Sequence, residues 1–102
     1  MAAPTQVNNQ VIYFDAADQE ITDINFRINA VVWVSNEGGG KDIAADDDML
    51  LEDAAGQKVV GKRAEAAGDG LELSIPNGGI VVTGLKAEDL DGGVLYVIGE
   101  AL

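Results

Sequence analysis

The residues best suited to chemistry in this chain are carboxylates. Asp42, Asp46, Asp47, Asp48, Glu52 and Asp53 crowd one short segment. Such a cluster is the raw material of a Ca²⁺ site, which needs six or more oxygen ligands. The spacing misses D-x-[DN]-x-[DN]-G with its distant Glu. The run Gly38–Asp42 (GGGKD) stands alone, whereas the GGxGxD nonapeptide recurs. Asp89 and Asp91, ahead of Gly92-Gly93, form a smaller pair. A solvated acidic loop explains these residues without a metal, so none is assigned and a structural Ca²⁺ is the second reading. Two carboxylates at a suitable separation could also hydrolyse glycosides. With 18 acidic residues, however, some pair meets any separation by accident, and one Trp and two Tyr give a sugar cleft little to stack on.

The side chains that usually carry nucleophilic or neutral-pH proton chemistry are missing or scarce. There is no Cys and no His, and only Ser35 and Ser74 represent serine. This pattern argues against an enzyme, and no catalytic or cofactor-binding residue is assigned. The basic residues are more localised than the acids. Lys58, Lys62 and Arg63 make up half of the 6 Lys and Arg residues. They read first as partners for carboxylates across a sheet, each exposed pair contributing up to about 1 kcal/mol. The sharper reading is a small basic contact patch for an acidic surface, an identical neighbour being the first choice.

Composition bounds the rest. A chain of 102 residues makes one domain, and 47% apolar content with 24% charge is enough for a core without disulfides. The net charge of −12 repels phosphate backbones and anionic membranes, so neither nucleic acid nor membrane is expected as a partner. Apolar stretches such as Ala30–Val34 are too short to span a bilayer. Met1–Gln10 lacks the basic and apolar regions of a secretory signal.

The elements that must position these residues read as strands between turns. Residues 1–10 form an N-terminal arm, with Pro4 and Val7 as its candidate contacts, and residues 11–102 form the domain. Val11–Phe14 is a first strand of β-formers. In Ile24–Val34, Ile24, Phe26, Ile28, Ala30, Val32 and Val34 share one face, with Val31 and Trp33 on the other. Trp33 reads first as core, and with Val31 as a subunit contact second; Gly39, in the Gly38–Gly40 loop, is a further contact candidate.

Further strands are expected at Met49–Glu52, Gln57–Ala66, Leu71–Ile75, Ile80–Thr83 and Val94–Ile98. Asp53-Ala54-Ala55-Gly56 closes a hairpin as a type I turn with glycine as its left-handed residue. Other turns fall at Gly68–Gly70, Pro76–Gly79 and Asp89–Gly93; helical signal is poor, with room for one helical turn each at Asp42–Leu51 and Lys86–Leu90 but no apolar face long enough to matter. The predicted fold is all-β: a single-domain antiparallel β-sandwich, jelly-roll or Ig-like, with a small barrel as second choice.

Three stretches resemble small all-β virion structural proteins of tailed bacteriophages. They are Ile21-Thr22-Asp23-Ile24 leading to Trp33, Met49–Val60 (MLLEDAAGQKVV), and Gly84-Leu85 with Leu90–Val97 (LDGGVLYV). The resemblance spans residues 20–98. It implies a non-enzymatic capsid decoration or cement protein, synthesised in the host cytoplasm and mounted on the capsid exterior. Its partners would be the major capsid protein and copies of itself, with a trimer suited to local threefold axes. The alternatives are a head–tail or tail component, or a carbohydrate- or receptor-binding β-sandwich module.

Overall fold

The computed structural model describes residues 3, 4, 6, 7, 10–35 and 42–102. Gly39 and the Gly38–Gly40 loop lie outside the described residues. Among the described residues eight strands follow in order: β1 (Gln6–Val7), β2 (Val11–Phe14), β3 (Glu20–Val34), β4 (Asp48–Glu52), β5 (Lys58–Arg63), β6 (Leu71–Ser74), β7 (Ile80–Leu90) and β8 (Val94–Ala101). All pair antiparallel in one sheet, ordered β1-β2-β8-β3-β7-β4-β5, with β6 on β3. No helix occurs among the described residues, so Asp42–Leu51 and Lys86–Leu90 carry none of the expected helical turns.

The all-β antiparallel domain is the predicted one. Its single sheet curls around one core, as a small sandwich or partly open barrel does. Ile12 and Phe14 of β2, Phe26, Ile28, Val31 and Trp33 of β3, Met49 and Leu51 of β4, Leu85 and Ala87 of β7, and Leu95 and Val97 of β8 are all buried in it.

β3 is the spine. One edge pairs with β8 over Phe26–Val34; the other pairs with β7 over Glu20–Ile28 and then with β6 over Ala30–Trp33. Pro76–Gly79 therefore does not reverse the chain. β6 and β7 run in the same direction along one edge of β3, and the loop bulges out between them opposite Asn29. The Ile75 N–H still donates to the Asn29 carbonyl at 2.8 Å. A Pro-Asn-Gly-Gly string specifies tight local dihedrals, with Asn77 at φ 61° and Gly78 at φ 88°, but it does not specify where the next strand goes.

The alternation in β3 changes phase at the same place. Phe26 and Ile28 point into the core, and after a bulge between Ile28 and Ala30 the buried residues are Val31 and Trp33. The extra residue, Asn29, moves every following side chain to the opposite face. Ala30, Val32 and Val34 are therefore only half-buried, away from the face shared by Phe26 and Ile28. β7 repeats the device. It runs unbroken through Gly84 (φ 73°) to Leu90, its buried positions passing from Val82 to Leu85 and Ala87 and then to Leu90. The single strand replaces the expected Ile80–Thr83 strand and the helical turn after it.

The Asp53–Gly56 hairpin forms as predicted. The Gly56 N–H donates to the Asp53 carbonyl at 3.1 Å, Gly56 has φ 83°, and Asp53 Oδ1 accepts from the Ala55 and Gln57 amides at 2.9 Å each. A short carboxylate at the first turn position satisfies amides the turn would otherwise leave open.

Candidate functional site

The acidic segment is a scaffold of turns. Asp47 Oδ2 accepts the Ala44 N–H at 2.8 Å, Asp91 Oδ2 accepts the Asp48 N–H at 2.9 Å, and Asp48 holds Arg63 through Oδ1 at 2.9 Å. Ile43, within this polar stretch, drops into the core at 1% exposure, its N–H donating to Ser35 Oγ at 2.9 Å. Among the described residues, no group of three or more Asp or Glu side chains converges as a metal site would require. Gln19 is a polar side chain within the core, and it is paired: Asp15 N–H donates to Gln19 Oε1 at 2.9 Å, and Gln19 Nε2 donates to Asp15 Oδ1 at 2.8 Å.

Lys58, Lys62 and Arg63 all sit on β5, an edge strand of the sheet. Lys62 Nζ donates to Asp69 Oδ1 at 3.0 Å and to the Gly70 carbonyl at 2.7 Å, fastening the edge to the chain that leads into β6. Arg63 Nε and Nη2 reach the two oxygens of Asp48 at 2.9 and 3.3 Å. Lys58 is exposed at the strand's start. Two of the three cations are thus engaged by the chain's own carboxylates, and charge along an edge also discourages strand addition.

The Arg63 guanidinium, by hydrogen bonding first and charge second, holds the Asp48 carboxyl below its ordinary range. The Glu65 N–H, followed by Lys62, does the same for Asp69. A carboxyl depressed by folding adds stability above its unfolded pKa, about 3.9, and loses it as pH falls through the lower folded value. Asp48→Asn and Asp69→Asn are therefore expected to be less stable than wild type at pH 7, with the curves converging as pH falls through the lowered folded pKa. Urea midpoints measured across that range check this; curves that stay parallel in acid would mean the two carboxyls titrate alike folded and unfolded.

Val31 and Trp33 are both 0% exposed. They pack in the chain's own core, and the expectation that they form a subunit contact is corrected. The bulge at Asn29 turns them inward. The Trp33 indole N–H donates to the Gly92 carbonyl at 2.9 Å, tying β3 to the turn before β8. Pro4 is buried, and the Val7 backbone pairs with Ile12. A cleft of about 350 Å³ opens beside Trp33, with Ser35 and Glu72 in its lining. The Ser35 hydroxyl oxygen there accepts the Ile43 N–H.

One surface was not anticipated. On the face of β2, β8 and β3 turned away from the core, Val11 lies opposite Ile98 and Tyr13 opposite Tyr96; Ile98 then lies opposite Ala30, and Tyr96 opposite Val32. The Tyr13 and Tyr96 rings stand 4.8 Å apart at 40°. All six are half-buried or exposed. The signal was present in Val11–Phe14 and Val94–Ile98, which contain no charged residue and so offer apolar side chains to both faces of a strand. Comparison of the chain with protein-family models, with curated proteins and with solved structures finds no match to any of them.

Proposed function

We propose that the chain is a non-enzymatic bacteriophage virion structural protein, a capsid decoration (cement) subunit on the head exterior. The observation that supports this most is where its polar side chains are used. Asp47, Asp53, Asp69 and Asp91 accept backbone amides, while Lys62 and Arg63 close ion pairs. These groups brace an antiparallel sheet and do not converge on a cleft. The reading makes the major capsid protein and neighbouring copies of the chain its partners, with trimers at local threefold axes. Each docked copy adds buried interface between capsid subunits and raises the free energy needed to part them. Mass action makes this effective at modest affinity when many sites share a lattice.

A carbohydrate-binding module is the second reading, favoured by the half-exposed Tyr13–Tyr96 pair. Quantitative mass spectrometry of purified virions distinguishes these readings. Copies on the order of the major capsid protein are expected. A ratio near that of ring or fibre proteins would move the chain to the head–tail joint or tail. Its absence from virions would overturn the structural reading and favour the sugar-binding one.

A further inference from the structure

We infer that the outer face of β2, β8 and β3 is the docking surface, and that its occupant is another protein's apolar patch rimmed by Lys and Arg. This deepens the virion reading and rests on it. The face is built from opposed apolar residues in consecutive rows: Tyr13–Tyr96–Val32, then Val11–Ile98–Ala30. Ile98 is 37% exposed, and further along the same face Val81 and Leu102 reach 57% and 60%. Contiguous exposed apolar side chains on a soluble domain mark contact sites, and tyrosine is among the residues enriched at the centres of such contacts.

Charge selects the occupant. Glu72 lies opposite Val32 at one rim and Glu100 opposite Arg27 at another. Arg27 is already held by Glu100 at 2.6 Å, which leaves Glu72 as the uncompensated charge of the three. Two copies meeting through this face would bring together chains that each carry −12. Like charges juxtaposed across an interface oppose association, and complementary ones steer it. A basic rim on the partner satisfies Glu72, while an apolar centre covers the tyrosines. At about 4.8 Å between strands and 3.4 Å per residue, three strands by six residues project roughly 300 Å². That is below the roughly 800 Å² per partner of a standard stable interface. A single contact of this size is weak, and a repeating lattice supplies the rest through multivalency.

The test uses virions assembled without the chain, to which purified protein is added back and bound copies are measured by co-sedimentation. Wild type is expected to bind, with affinity falling at least tenfold between 50 and 300 mM salt. Ile98→Lys should weaken binding at least tenfold and Ile98→Glu distinctly less, because the acid meets a basic rim. Gln57→Lys, the same added charge on the exposed β4–β5 turn, should bind as wild type does; thermal melts establish that each variant is folded. If both Ile98 variants bind like wild type, the face is not the interface while the virion reading stands. If Ile98→Glu is the weaker, the partner is acidic, as a second copy would be, and the inference is overturned. If wild type itself does not bind, the virion reading and the inference fall together.

Discussion

Replacing Trp33 by alanine is expected to cost about 3–5 kcal/mol of folding stability, the range for deleting a fully enclosed aromatic side chain. Domains of this size hold about 5–15 kcal/mol in total, so the variant should sit near the edge of folding. The loss has two physical parts. The indole is 0% exposed, and its removal leaves a cavity that β3, held on both edges by β8 and β6, cannot collapse to fill. Its N–H also satisfies the Gly92 carbonyl at 2.9 Å. Trp33→Phe keeps most of the ring and drops the donor, so its smaller loss includes about 1–3 kcal/mol for the orphaned carbonyl. Urea titrations of both variants give the two values. A Trp33→Ala protein as stable as wild type, but defective only in assembly, would move this residue from the core role to the contact role that is its second reading.

The alternation in β3 shows where sequence pattern stops being informative. Strict alternation put Val31 and Trp33 opposite Phe26 and Ile28, and it was right about everything before Asn29. One inserted residue reverses the parity of a strand, and no residue type announces it, because Asn29 looks like any outward polar position. The same holds at Gly84, where a left-handed glycine inside a strand resembles a strand end. Local chemistry was readable where it is self-contained: Asp53 and Gly56 build their turn from contacts within five residues. Pro76–Gly79 has equally strong turn chemistry, yet the direction of the chain beyond it is set by pairing to β3, many residues away. Ile43 was hidden by its acidic neighbours, since a lone apolar residue has no period. The apolar outer face is hidden for the opposite reason: uncharged strands look like core on both sides, and only the strand order decides that one side stays open.

Gly93→Ala is expected to be nearly as damaging as the loss of Trp33, through the opposite fault of too much matter in the core. Gly93 is buried at φ 71°, where a side chain costs about 1–2 kcal/mol in backbone strain alone. A Cβ there would also stand 2.6 Å from Ile43 Cγ1, 2.7 Å from the Val34 carbonyl oxygen and 3.0 Å from Trp33 Nε1. The Ile43 side chain could rotate, but the Val34 carbonyl is backbone in the ladder with β8 and moves only if the end of β3 moves. Overpacking of this kind adds about 1–3 kcal/mol, bringing the total to roughly 2–5 kcal/mol. Gly56→Ala separates the two components. Gly56 has φ 83° and nothing within 4 Å of its Cβ position, so it should show the backbone cost alone. Equal losses at the two glycines would mean that the turn before β8 does not press on Trp33. A larger loss at Gly93 that shrinks in a Trp33→Phe background would locate the pressure at the indole, because coupled neighbours depart from additivity and distant sites do not.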